Sequence, residues 1–309
     1  TASCFTASCF TAFRFYLMSQ HVPVLVDEIL HAFELRSGQI VVDGTLGGGG
    51  HTRLLAEGIA PGGSVIALDR DPEAVRASQQ WVEETQLPVQ LRVSNFADLP
   101  EVLHEDGQQQ VDAILLDLGL SSDQLADTER GFSFDAEGPL DLRFDPLEGE
   151  PAYRLLDRLG ERHLADIIYQ YGEERYSRRI ARRIVQERHS RPIRTAKELS
   201  QLICSAMPKK TSRQRIHPAT RTFQALRIAI NEELKALETA LHRLPDCLVS
   251  GGKLAIISFH SLEDRLVKRA FRDDPRLEPL TKKPIRPSPT EVAANPRSRS
   301  ARLRVAKCT

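Results

Sequence analysis

The feature that most constrains this chain is a β-branched run, Gln39–Asp43, that turns through Gly44–Gly50 (GTLGGGG) into a helical stretch from His51 to Ala60. A short buried strand that turns tightly into a helix is the opening unit of a doubly wound α/β sheet, and such sheets bind ligands outside the carboxyl ends of their strands. Glycines let the turn close and let a ligand approach the backbone, while the helix start offers free N–H groups. GTLGGGGH departs from the regular GxGxxG spacing that a dinucleotide pyrophosphate favours.

The alternation continues. Ser64–Asp69 is a second buried strand, and Asp71-Pro72 opens a helix with proline in its first turn, where a missing N–H costs little. Val89–Val93 and Val111–Asp117 supply a third and a fourth strand. Continuous apolar strands alternating with helices imply a parallel sheet covered on both faces.

After Leu120 the rhythm stops. Residues 121–150 are loop-like, and helices then dominate: Leu164, Ile167, Ile168 and Tyr171 share one face, and Thr195 with Glu198 forms a capping box. Phe223, Leu226, Ile230, Leu234, Leu237, Leu241 and Leu244 predict one long amphipathic helix. The sheet resumes at Lys253–Phe259 and closes with Leu303–Ala306, while Lys282–Arg299, with four prolines and five basic residues, reads as an irregular arm. The expected organisation is therefore a sheet domain over residues 18–125 and 220–309, interrupted by a helical insertion over 126–219. Residues 1–17, where TASCF occurs twice in tandem, have no convincing signal-peptide pattern and read as an extension, with Met18 the natural start.

The formal net charge is zero, so only its distribution is informative. Between Arg175 and Arg227 fifteen Lys/Arg face two acids, Glu187 and Glu198, leaving that segment at about +13. On a helix Arg178, Arg179, Arg182 and Arg183 share one face, and Ile180, Ala181, Ile184 and Val185 take the other. Lys209, Lys210, Arg213 and Arg215 form a second cluster. Such surfaces contact phosphates and position RNA without reading its sequence. No apolar run is long enough to span a bilayer, so no membrane partner is expected. The five cysteines show neither a disulfide pattern nor zinc-ligand spacing, which fits a reducing cytoplasm and a site without metal.

Asp69 ends the second strand 26 residues after Asp43, where a carboxylate can accept both ribose hydroxyls of an adenosine. Phe96, just after the third strand, would lie beside the adenine. These features fit NAD as well as S-adenosylmethionine. The acidic residues around the turn, Asp43, Asp69 and Asp117, suit a cationic sulfonium.

Several long strings resemble the bacterial 16S ribosomal RNA cytosine-N4 methyltransferases. They include HVPVLVDEIL at His21–Leu30, VVDGTLGGGGHT at Val41–Thr52, LDRDPEAV at Leu68–Val75, LLDLGLSSDQL at Leu115–Leu125 and RGFSFDAEGPLDLRFDP at Arg130–Pro146. HPATRTFQALRIAINEEL, ISFHSLEDRLVKR and NPRSRSARLRV follow in family order. The resemblance implies a class I methyltransferase, a Rossmann-like doubly wound sheet with an inserted α-helical domain. It implies S-adenosylmethionine as cofactor and a decoding-centre cytidine of 16S rRNA in the small ribosomal subunit as substrate, with no DNA partner expected. Carried over residue by residue, the cofactor contacts are Gly49, Gly50, His51, Asp69, Phe96, Asp117 and Gln124.

The N4 lone pair of cytosine is delocalised into its ring, so the enzyme must align a poor nucleophile with the methyl group. DNA amino-methyltransferases use an Asp/Asn/Ser-Pro-Pro-aromatic loop after the fourth strand. Asp117-Leu118-Gly119-Leu120 has no Pro-Pro, so no catalytic residue transfers from that class, and Asp117, Asp141 and His260 are the candidates. Carbon-5 methylation would need a thiolate, and neither Cys204 nor Cys247 sits in a Pro-Cys nucleophile loop. A nicotinamide oxidoreductase and a non-catalytic RNA-binding assembly factor are the rival readings.

Overall fold

The computed structural model describes residues 22–208 and 217–309. The 1–17 extension and the cluster Lys209, Lys210, Arg213 and Arg215 lie outside the described residues. In chain order, α1 (Val26–Phe33) precedes β1 (Ile40–Asp43), α2 (Gly50–Gly58), β2 (Ser64–Asp69), α3 (Pro72–Thr85), β3 (Val89–Val93), α4 (Leu99–Glu105) and β4 (Val111–Asp117). A helical stretch follows: α5 (Ser122–Ala126), α6 (Ala152–Arg158), α7 (Glu161–Gly172), α8 (Ser177–Ser190), α9 (Ala196–Ala206), α10 (Thr220–Asn231) and α11 (Glu233–Arg243). Then come β5 (Leu248–Ser258), α12 (Ser261–Asp273), β6 (Leu277–Pro279), α13 (Pro289–Ala294) and β7 (Arg302–Cys308).

The strands form one sheet in the order β3-β2-β1-β4-β5-β7-β6. The first five are mutually parallel, and β7 runs antiparallel to both of its neighbours. Alternation along each strand sorts side chains onto two faces. Val42, Ile66, Leu68, Ile114, Leu116, Leu254 and Ile256 enter one core, while Val41, Val65, Ala67, Leu115, Ala255 and Ile257 enter the other. Both faces are therefore covered, as the unbroken apolar strands require.

A third core lies within the helical region, where Leu164, Ile168, Ile180, Ile184, Leu199 and Ile203 pack together. Phe223 and Leu226 of α10 belong to this core, whereas Leu237, Leu241 and Leu244 belong to the sheet core. The single helix expected over Phe223–Leu244 is consequently broken. Glu232 adopts a left-handed conformation with φ 50° between α10 and α11, which redirects the apolar stripe from one core to the other. Asn231 pins the break: its Nδ2 donates to Leu142 O at 2.7 Å, and its Oδ1 accepts from Phe144 N at 2.8 Å.

The arm over Lys282–Arg299 is also more regular than its prolines suggest. Ser288 caps α13 by accepting from Glu291 N at 3.1 Å, with Pro289 in the first turn, and a 3-10 turn follows over Pro296–Ser300. Proline is compatible with a helix start, so composition alone misjudged the segment. The starts of α3, capped by Asp71, and α9, with its Thr195/Glu198 box, form as expected.

Candidate active site

Three strands end in aspartates: β1 in Asp43, β2 in Asp69 and β4 in Asp117. Asp69 and Asp117 line a cleft outside the carboxyl ends of the strands, together with Gly44, Gly47, Phe96 and Gln124. The far wall carries Phe144 from the loop before α6, Glu233 and Leu237 from α11, and Phe259 and Glu263 around the start of α12.

Each aspartate is set differently. Asp43 is fully buried, accepting from Thr52 Oγ1 at 2.6 Å and Thr45 N at 3.1 Å, and burial pushes its carboxyl up from the ordinary range. It does not line the cleft but braces the turn. Asp69 accepts from Gly47 N at 2.8 Å through one oxygen and from Asp71 N at 2.9 Å through the other. Burial pushes its carboxyl up to about 6. Two amides do not exhaust a carboxylate's acceptor capacity, so hydroxyl donors can still be taken. Asp117 donates its backbone N–H to Thr45 Oγ1 at 2.6 Å, while its buried Oδ1 has no hydrogen-bond partner among the described residues. A buried carboxylate oxygen without a partner, on a residue that lines a cleft, calls for a cationic or N–H donor.

Gln124 closes the capping box of α5, accepting from Ser121 N at 3.1 Å, and its Nε2 donates to Asp71 Oδ2 at 3.1 Å. Asp71 also pairs with the buried Arg130 at 3.1 Å, whose Nη2 donates to Arg143 O at 2.8 Å and Phe144 O at 2.7 Å. This buried network joins Asp69 to the loop that carries Phe144.

Gly49, Gly50 and His51 do not line the cleft. Gly49 caps α2 with φ 75°, and a Cβ there would stand 2.9 Å from the Trp81 ring. His51 is buried behind Asp117. Gly44 lines the cleft, where a Cβ would run into Leu116 Cδ2 and stand 3.0 Å from Phe96 Cβ. Asp141 lies away from the cleft, chelated by its own neighbour: Arg143 Nε and Nη2 donate to it at 2.7 and 2.8 Å. His260 caps α12 in a capping box with Glu263. Burial works to raise the Glu263 carboxyl, but His260 and Arg227 together hold it below the ordinary range.

Arg178, Arg179, Arg182 and Arg183 are all exposed on α8, opposite its buried Ile180, Ala181 and Ile184. Arg182 pairs with Glu161 at 3.3 Å and Arg183 with Glu187 at 3.1 Å. Neither Arg178 nor Arg179 has an ion-pair partner among the described residues. Periodicity could not have found Arg70, Asn231, Glu233, Glu263 or Arg297, although the strings that carry the family resemblance contain all five.

A doubly wound sheet with a reversed β7, and a cleft with Asp69 at one strand end and an orphaned carboxylate oxygen at another, define an S-adenosylmethionine-dependent class I methyltransferase. The residues present fit that donor, since Asp69 retains acceptor capacity for hydroxyls and Asp117 Oδ1 awaits an N–H. The chain belongs to the MraW methylase family, whose model matches residues 18–309. It is 50% identical over 301 residues to the ribosomal RNA small subunit methyltransferase H of Rhodopirellula baltica, covering 94% of this chain and 91% of the relative. A protein of the same name from a Cyanothece species is 51% identical over 287 residues, covering 93% and 94%. A solved S-adenosylmethionine-dependent O-methyltransferase from Thermotoga maritima is 11% identical with a TM-score of 0.44, covering 95% of this chain and 68% of that one.

Proposed function

We infer that this enzyme methylates the exocyclic N4 amine of a decoding-centre cytidine in the 16S rRNA of the small ribosomal subunit, in the cytoplasm. The observation that carries the chemistry is that Glu233 and Glu263 line the same cleft as Asp69 and Asp117. An amine entering such a site meets carboxylates able to accept its N–H groups. Holding it in one orientation can contribute several kcal/mol, on the order of what positioning supplies elsewhere. The bound donor supplies the electrophilic methyl group. Of the three candidates, Asp117 alone lines the cleft; Asp141 braces a loop and His260 a helix start.

Carbon-5 chemistry is disfavoured by the cysteines among the described residues. Cys247 is buried, with burial pushing its thiol up to about 11, Cys308 is buried, and Cys204 is exposed away from the cleft. The rRNA substrate is supported by what the relatives are called. The exposed arginines of α8 support phosphate contact by the helical lobe, with the target base splayed out of its stack. The deciding experiment is mass spectrometry of 16S rRNA from a strain lacking this gene. N4-methylcytidine should vanish from the decoding centre and return on complementation; its persistence in the deletion strain would refute the reading.

A further inference from the structure

The methionine end of the donor is a zwitterion, and Asp117 answers only its ammonium. The carboxylate needs a cation. Among the described residues that line the cleft, Arg70 and Arg297 carry full positive charge. Arg70 follows Asp69 directly and donates Nη1 to Asn231 O at 2.7 Å, which places it at the ribose end. Arg297 stands at the glycine-turn end. Its Nη1 bonds Ser122 Oγ, and the neighbouring Ser121 lies against the turn, where a Cβ on Gly47 would be 3.4 Å from Ser121 Cβ.

The segment that carries it is tied to the stretch before α1. Glu291 Oε1 accepts from Leu25 N at 2.8 Å, and Asn295 Nδ2 donates to Val22 O at 3.0 Å. Ser298, fully buried, donates its Oγ–H to Asn295 O at 2.8 Å. Val22 and Asn295 themselves line the cleft. Arg297 thus projects from a strap fastened over the site, and it has no acidic partner among the described residues. A guanidinium offers five N–H donors in a planar fork that matches a carboxylate, and the bond to Ser122 occupies one of them.

We propose that Arg297 binds the α-carboxylate of S-adenosylmethionine, so that the strap after α13 completes the donor site. Asp117 and Arg297 then hold the two charges of the methionine group, while Asp69 holds the sugar. The assignment concerns the donor alone and stands apart from which RNA nucleotide is modified.

Calorimetric titration with two ligands tests it. S-adenosylhomocysteine carries the carboxylate, and methylthioadenosine has the same nucleoside without the amino-acid end. Arg297→Ala should weaken S-adenosylhomocysteine about tenfold to a hundredfold, the range of a hydrogen bond to a charged group, and leave methylthioadenosine unchanged. Arg297→Lys should recover part of the loss. Equal losses for both ligands would mean the strap merely shapes the cleft. An unchanged S-adenosylhomocysteine affinity, with or without weaker RNA binding, would equally overturn the assignment.

Discussion

Oδ2 of Asp117 stands 3.5 Å from Nε2 of His51, and His51 is only 6% exposed behind it. The imidazole buttresses one carboxylate oxygen, and the other, Oδ1, has no hydrogen-bond partner among the described residues. We propose that His51 acts on the donor through Asp117. His51→Ala should weaken S-adenosylmethionine binding about tenfold, which is ~1.4 kcal/mol, with RNA affinity unchanged. Calorimetry beside a filter-binding assay checks this; an intact donor affinity would remove the histidine from the site.

Asp69 sets a pH dependence for donor binding. Its carboxyl is pushed up to about 6 by burial, and ribose hydroxyls favour the ionised form. Protons and donor compete, so affinity should be full above neutrality and fall as pH drops through about 6, approaching tenfold per unit. The sign for the free protein is opposite. A carboxyl raised above its ordinary value contributes stability below that value and loses it as pH rises through about 6. Titrations and thermal melts between pH 5 and 8, with and without donor, should show both trends; a flat affinity profile contradicts the assignment.

Asp69→Ala should abolish measurable donor binding at micromolar concentrations while leaving RNA affinity within about twofold, since Asp69 lies on the sheet and the arginine face on α8. Parallel loss of both affinities would show that the two surfaces are one.

Replacing Arg178, Arg179, Arg182 and Arg183 by alanine should flatten the salt dependence of RNA binding, by roughly 0.7–0.9 in log–log slope for each phosphate no longer neutralised. Arg178 and Arg179 should account for more of the change, because Arg182 and Arg183 already engage Glu161 and Glu187. Identical slopes for the wild type and the quadruple variant would exclude the face.

Asn231→Ala should destabilise the fold by about 2–4 kcal/mol, because it strips partners from one buried and one half-buried backbone group, Leu142 O and Phe144 N. Urea unfolding reads the change, and an unaltered midpoint would show that the loop finds other partners.

Much of this architecture was legible because strands and caps leave repeating signals. Val41–Asp43, Val65–Leu68 and Ala113–Leu116 are apolar without interruption up to their terminal aspartates, which a doubly covered strand requires. Asp71 before Pro72 and Thr195 before Glu198 announce helix starts through local chemistry that tertiary packing did not override. Asp69 was findable from its place at a strand end. The break at Glu232 was hidden, since apolar spacing runs unbroken from Phe223 to Leu244 and gives no hint that its two halves serve different cores. Arg297 was hidden for a different reason: it is one of five basic residues in an aperiodic, proline-containing segment, and no spacing singles it out. His51 entered through family resemblance alone, and only the folded chain shows it outside the cleft lining, with its ring 3.5 Å from the Asp117 carboxylate.

The link between Asn295 and Val22 joins residues 273 positions apart, and β7 is inserted between β5 and β6 after both have been made. While this polypeptide emerges from a ribosome, its nucleoside pocket can take shape before the strap and the penultimate sheet position, which wait for residues 295–308 to be added. Competence to hold the methyl donor therefore comes only once the strap has been made, and chains that stop before Asn295 should fold their sheet core yet be unable to charge themselves for reaction.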